Sequence, residues 1–355
     1  MNKLFAFLFG SILTCHAKAA TLPALPEPVT NNAVASLRLN QHQYLFSFMG
    51  LGAGKTHKDI HNRAWQLIID PQGNTQGWQA IPSVPSSQSL SGRLASVAVG
   101  AGNYVYLFGG YTVSADHTEV STPDVYRYNP LSKQYESLAP MPVPVDDAVA
   151  LVYQNRFVYL ISGWHNDGNV NLVQVYDTQT DRWQQASPYL GKPVFGHAGA
   201  LSGQTMVVCD GVAVVPKFNA RRGFEAETAC FKGVIDSADP YKINWTMLAH
   251  PTGQSGYRMA AAADPDEQEI VFVGGATNPY NYDGIGYNGS PSQPSHAIWT
   301  FDVATQTWQV GRTQQASMDH RGLLRVGDEW LTLGGMGPNQ TVLSSSRIVQ
   351  LTDAH

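Results

Sequence analysis

Val105-Tyr-Leu-Phe-Gly-Gly110, followed by Asp124-Val-Tyr-Arg-Tyr-Asn-Pro130 and Gln134-Tyr-Glu-Ser-Leu-Ala-Pro-Met-Pro142, decides the fold. It reads as an apolar strand ending in a glycine pair, an aromatic strand, and a shorter strand built around a Tyr. The same order returns in Phe157-Val-Tyr-Leu-Ile-Ser-Gly163, Val173-Gln-Val-Tyr-Asp177 and Asp181-Arg-Trp183. It returns again in Ile270-Val-Phe-Val-Gly-Gly275, Ile298-Trp-Thr-Phe-Asp302 and Thr307-Trp308. Repetition of a strand cluster about every fifty to sixty residues marks an all-β chain of radially arranged sheets, a β-propeller.

Six such units can be placed. The first, residues 30–82, carries Tyr44-Leu-Phe-Ser-Phe-Met-Gly50; the fourth, 195–248, has Asp210-Gly211 in the glycine-pair position. The fifth runs over 257–310. The sixth begins near 319, carries Trp330-Leu-Thr-Leu-Gly-Gly335 and Arg347-Ile-Val-Gln-Leu351, and lacks an outer strand. The missing strand is expected at the other end of the chain, because Leu22-Pro-Ala-Leu-Pro-Glu-Pro28 resembles Leu138-Ala-Pro-Met-Pro-Val-Pro144. Residues 20–355 are therefore expected to form one six-bladed propeller closed by its N-terminal strand, which removes exposed sheet edges. Trp65, Trp78, Tyr126, Trp183, Trp245, Trp299 and Trp308 are expected to pack between blades.

Residues 1–19 read as a cleaved signal peptide: Lys3, an apolar run over 4–14, and Ala17-Lys-Ala19 as the cleavage signal. The mature protein is then expected in the periplasm. Losing Lys3 and Lys18 takes the net charge from −5 to −7. An acidic chain with 14% charged residues argues against nucleic acid and anionic membrane as partners. Cys209 and Cys230 remain after cleavage of Cys15 and should be neighbours in one blade. They form either a disulfide or a pair of buried thiols.

Chemistry should gather where the inner strands begin, since these line the central channel. Those points read Asn31-Asn32, Gly92-Arg93, Asp146-Asp147, Gly196-His197, Tyr257-Arg258 and His320-Arg321. The loops after the glycine pairs add Lys55 and Asp59, Trp164-His-Asn-Asp167, Lys217 with Arg221-Arg222, Asn278-Pro-Tyr-Asn-Tyr-Asp283, and Asn339. Arg93, Arg258 and Arg321 on one rim suit a small anionic ligand held by bidentate guanidinium bonds. Asn32, Lys217, Arg222 and Tyr257 supply the donors and ring faces that a sugar needs. No metal-ligand spacing or nucleotide-binding loop is present, and no cofactor is expected.

The repeat is similar to the kelch repeat. With the closing strand, the signal peptide, Gly50-Leu-Gly52, Arg93 before Tyr104-Val-Tyr-Leu-Phe-Gly-Gly110, and Gly196-His197, the chain resembles the bacterial periplasmic N-acetylneuraminate epimerase (sialic acid mutarotase) family. That resemblance implies interconversion of the anomers of a carboxylate-bearing sugar. The family places a catalytic Glu directly after an Asn-Gly pair in its fourth blade, whereas this chain reads Asp210-Gly211-Val212. Proton transfer then falls to other groups, with His197, His320, Asp147, Asp167 and Glu225 as the candidates. Two readings from other classes stay open: a kelch module that binds glycan or protein without turnover, and a lyase or hydrolase of an acidic polysaccharide using Tyr280, Tyr282 and Tyr287.

Overall fold

The strands that precede the glycine pairs are apolar along both faces, and the structure buries both. Tyr104–Phe108, Phe157–Ile161, Thr205–Cys209 and Glu269–Val273 are buried nearly throughout, because each lies second in its sheet with another sheet stacked on either side. The outermost strands, such as Gln134–Ser137 and Arg182–Gln185, are mostly exposed, as their polar composition requires. The computed structural model describes residues 22–351 apart from 265 and 267; the expected signal peptide lies outside the described residues. Among those described, the chain is all-β apart from two short 3₁₀ turns, His57–Asp59 and Pro338–Gln340. No helix among them is long and apolar enough to cross a membrane, a statement that does not bear on β-barrels.

Five antiparallel sheets have four strands each and follow one meander, and a further one, Leu324–Val326, Glu329–Leu333 and Ser346–Ile348, has three. Their first strands (Ala33–Leu39, Val97–Ala101, Val149–Tyr153, Ala198–Ser202, Ala260–Asp264 and Leu324–Val326) contribute residues to the wall of one central cavity of about 270 Å³. Hydrophobic clusters join each sheet to the next, as where Phe46 and Phe48 meet Tyr128 edge-on at 5.9 and 6.2 Å. Trp183 of the third sheet meets Phe108 of the second at 5.9 Å. The first and last sheets share a cluster too, through Val34, Leu45, Leu324 and Leu331. This is a β-propeller.

A left-handed residue stands ahead of each inner strand: Asn31, Ala95, Asp147, Gly196, Arg258 and Asp319, with φ of 57, 54, 51, 65, 55 and 66°. The backbone joins several of them around the axis. Asp147 N donates to Ala95 O at 3.0 Å, Gly196 N to Asp147 O at 2.9 Å, Arg258 N to Gly196 O at 2.8 Å, and His320 N to Arg258 O at 3.2 Å. A side chain closes the step from the first sheet to the second, Asn31 Oδ1 accepting from Ala95 N at 2.7 Å. The glycine pair follows from the same geometry. Its second member has positive φ in all six repeats, and a Cβ there would sit 2.7–2.9 Å from a backbone carbonyl oxygen beside the left-handed residue. The first member needs only positive φ, which Met49, Ser162 and Asp210 also adopt.

The N-terminal segment differs from expectation. Residues 22–28 form no strand. They run beside residues 343–346, with Leu25 N donating to Ser344 O at 2.7 Å and Val29 N to Leu343 O at 3.0 Å. Pro23 O accepts from Ser346 Oγ and Trp78 Nε1 at 2.7 and 3.0 Å. Pro23, Pro26 and Pro28 have no N–H to give, so a regular ladder cannot form.

Cys209 and Cys230 are direct cross-strand partners and are bonded as a disulfide, with a Cα separation of 4.1 Å. The bridge closes the base of the excursion that carries the strands Val212–Val215 and Gly223–Ala226.

Candidate functional site

The left-handed turns aim two arginines and two aspartates at the axis. Arg258 donates through Nε and Nη2 to Asp147 Oδ2 at 3.0 and 2.5 Å, and through Nη1 to Asp319 Oδ1 at 3.0 Å. Arg321 Nη2 lies 3.0 Å from Asp147 Oδ1 and donates to Asn31 Oδ1 at 2.7 Å. Thr30 Oγ1 donates to the remaining Asp319 oxygen at 2.6 Å. All four charged side chains are buried. Burial pushes the Asp147 carboxyl up, but Arg258 and Arg321 outweigh it and hold the group below its ordinary range. Burial likewise opposes the charge on Arg258, yet Asp147, Tyr257 and Asp319 hold it well above. This network is a plug of two positive and two negative charges, tied to sheets on opposite sides of the axis.

Above the plug is a cavity of about 180 Å³. Its floor is Asp146, Asp147 and Arg258, and Glu119 stands on its wall. Trp164, Phe195, Phe224 and Tyr287 form an aromatic side, with Phe224 and Tyr287 stacked at 4.2 Å. Arg222 closes it, its guanidinium 4.7 Å from the centre of the Trp164 ring and 5.8 Å from that of Phe224. Arg222 Nη1 also donates to Asp167 O at 3.1 Å. A stacked guanidinium beside ring faces and carboxyl groups can hold a carboxylate, stack on a sugar ring and exchange protons in one small volume.

The structure distributes the sequence-derived residues over several places. Arg222, Asp147 and Arg258 line this cavity. Tyr257 is fully buried beneath Arg258, its ring centre 4.8 Å from the guanidinium carbon and its hydroxyl donating to Tyr280 O at 3.3 Å. Arg321, His197 and His320 line the central cavity on the other side of the plug. Burial lowers both imidazoles to about 4, and His197 Nε2 donates to Ile161 O at 2.9 Å. Asn32 is buried and donates to Ser47 Oγ at 2.8 Å. Asp167 is exposed and pairs with Arg221 at 2.5 Å. Lys217 and Glu225 are exposed on the excursion that carries Arg222.

Arg93 does not converge with the other two arginines. It pairs with Asp124 at 3.0 Å and donates to Pro85 O at 2.9 Å. The backbone bridges Leu94–Tyr111, Tyr257–Ala276 and Met318–Met336 set the true register. The axial residue of the second repeat is Ala95, two places beyond Arg93, and that of the sixth is Asp319, one place before His320. Gly92-Arg93 mimics Tyr257-Arg258 in sequence but lies one strand pleat earlier.

Glu119, Tyr111, Phe195 and Phe224 were not singled out by sequence. The signal for two of them was present, since Tyr111 and Glu119 lie in the loop after the second glycine pair, the loop position that supplies Trp164 and Arg222 in other repeats.

The family model described as the kelch motif matches residues 92–142. N-acetylneuraminate epimerase of Salmonella arizonae is 21% identical over 97% of this chain and 94% of that protein. The chain carries kelch repeats and resembles N-acetylneuraminate epimerase. Human Kelch domain-containing protein 3 is 22% identical over 61% of the chain, which spans only 56% of that protein's length. Among solved structures, that of YjhT superposes with a TM-score of 0.71 at 18% identity, covering 94% of this chain and 97% of that one, a likeness of fold. Val212, which stands where the epimerase family's Glu is expected, is fully buried opposite Phe195 and Ala226.

Proposed function

We propose that this chain is a mutarotase of an acidic sugar such as N-acetylneuraminate, and that the reaction occurs in the cavity above the plug. The observation that carries this reading is Arg222 stacked on Trp164 at the edge of an aromatic and carboxyl-lined pocket. Arg258 and Arg321 spend their hydrogen bonds on Asp147, Asp319 and Asn31, so the substrate carboxylate is assigned to Arg222. The Phe224–Tyr287 stack then faces the apolar side of the sugar, and Asn281 at the wall meets its hydroxyls. The likeness to N-acetylneuraminate epimerase over nearly the whole chain supports the same substrate class.

The surrounding architecture is part of the proposal. Residues 1–19 are a signal peptide and residues 20–355 a single domain of six blades, whose ring the N-terminal segment completes beside the last sheet. The cluster shared by the first and last sheets supports that closure. The disulfide supports an oxidising compartment, the periplasm.

Following the α/β equilibration of N-acetylneuraminate by NMR tests the reading. Wild-type protein should accelerate it over buffer, and an uncharged N-acetyl sugar should not compete. No acceleration would remove the enzyme. The second reading, a sugar-binding module without turnover, is favoured by buried Val212 in place of the family's Glu, and binding without acceleration would select it.

A further inference from the structure

Two carboxyl groups of the cavity take no part in the ion-pair network. Asp147 is held by Arg258 and Arg321, and Asp167 by Arg221. Glu119 and Asp146 form no salt bridge among the described residues, yet both line the cavity beside its two cations. Asp146 is buried at the base, 3% exposed, where its backbone bridges to Trp164. Its Oδ2 accepts a hydrogen bond from Ser121 Oγ at 2.6 Å. Ser121 belongs to the short strand Glu119–Ser121, paired with Tyr111–Val113. Residues two apart on a strand share a face about 7 Å apart, so the strand that engages Asp146 through Ser121 also presents Glu119 to the same space. One carboxyl thus lies deep and dry, and the other stands at the lip with access to water.

We propose that Glu119 and Asp146 are the proton-transfer pair of this site, Glu119 acting on the anomeric hydroxyl and Asp146 on the ring oxygen. The assignment rests on the mutarotase reading above and supplies the acid and base that Val212 leaves missing. In the opening step the Glu119 carboxylate takes the anomeric hydroxyl proton. The electron pair of that O–H bond becomes the second bond of the new carbonyl, the bond from the anomeric carbon to the ring oxygen breaks, and the ring oxygen takes the Asp146 proton. The carbonyl carbon then turns its other face. In closing, the Asp146 carboxylate removes the proton of the attacking hydroxyl while the Glu119 carboxyl returns its proton to the carbonyl oxygen. Both groups finish as they began, with no oxidant or co-reactant.

The surroundings suit these starting states. Burial pushes the Asp146 carboxyl well up, Asp147 and Glu119 push it further, and the Ser121 hydrogen bond and Arg258 oppose without cancelling the effect. These surroundings favour the protonated form of Asp146, the form the opening step uses. The Glu119 carboxyl is raised less, by the partial loss of water on its protein side, with Arg258, Arg222 and His117 opposing, which makes its carboxylate form the more basic. Two carboxyl groups pushed apart in this way divide into acid and base.

The test compares wild type with Glu119→Gln and Asp146→Asn, measuring N-acetylneuraminate equilibration by NMR and binding by calorimetry. Each substitution should slow equilibration about 100-fold or more while changing the dissociation constant less than about threefold. Glu119→Gln should also abolish the fall in rate on the acidic side of the wild-type pH profile. Because Glu119 is solvent-exposed, that variant should keep the wild-type melting temperature even if Asp146→Asn does not. An active wild type with Glu119→Gln equally fast would overturn the pair alone. A wild type no faster than buffer would overturn the mutarotase reading and the pair with it.

Discussion

At the residue scale, burial separates arginines that look alike in sequence. Arg258 is buried against two carboxylates, and removing it would leave buried Asp147 and Asp319 with Arg321 as their one remaining cation. Arg258→Ala should therefore lower stability by about 3 to 5 kcal/mol, read as a fall in the denaturant midpoint. Arg222 pairs only with the exposed Asp167 and stacks on aromatic rings; an exposed ion pair adds at most about 1 kcal/mol. Arg222→Ala should leave the melting temperature nearly unchanged and weaken sugar binding more than about tenfold, measured by calorimetry. Histidines give a pH signature of known sign. His61, His197 and His320 are each lowered by burial to about 4, from an ordinary value of 6.5. The unfolded chain takes up protons on these groups first, so their stabilisation is complete above pH 6.5 and is lost as pH falls toward 4. Each accounts for roughly 3 kcal/mol at the acid end. His320→Gln should make the fall in melting temperature with falling pH less steep over that window.

At the element scale, the site depends on short excursions placed after the glycine pairs. The strand Glu119–Ser121, the pair Trp164–His165 and Gly168–Asn169, and the excursion between Cys209 and Cys230 all extend past the ends of the main sheets. The last of these carries Arg222 and Phe224, and the disulfide clamps its base. Replacing both cysteines by serine removes a closure of about 20 residues, which in the chain-entropy account contributes about 3 kcal/mol. The double variant should unfold at lower denaturant concentration. It should also bind sugar more weakly than wild type at a temperature where both are fully folded, because the loop holding Arg222 is freer. Isothermal titration below the transition separates the two effects. That the loops bearing Trp164 and Arg222 follow the glycine pairs was legible in the sequence; their inward fold was not, because it depends on aromatic contacts such as Phe195 with Trp164 and Phe224 between segments far apart in sequence.

At the scale of the whole molecule, stability rests on each sheet covering the apolar face of the next. Leu25 and Val29 lie in the cluster between first and last sheets, and Leu25 N and Val29 N satisfy carbonyls of residues 344 and 343. Deleting residues 22–29 should lower the melting temperature sharply and add a dye-binding apolar surface, whereas deleting residues 22–24 should do so far less. The repeat, its glycine pair and the all-β class were readable from the chain because they are local. Strand alternation and positive φ are properties of a few consecutive residues, and they recur six times. That Cys209 and Cys230 are neighbours was readable too; that they are bonded, and not paired thiols, came from the structure. What the chain alone did not settle was register and direction at the axis. A shift of two residues placed Ala95, and not Arg93, on the ring, and a shift of one placed Asp319 there, and not the proton-transfer candidate His320. Pairing of Arg258 with Asp147, 111 positions away, arises only when separate sheets meet around a common axis. The repeat pattern by itself determined the propeller; which charges are neutralised in the plug and which remain free in the cavity was decided by tertiary structure, because buried charge settles on whichever opposite charge packing brings within reach.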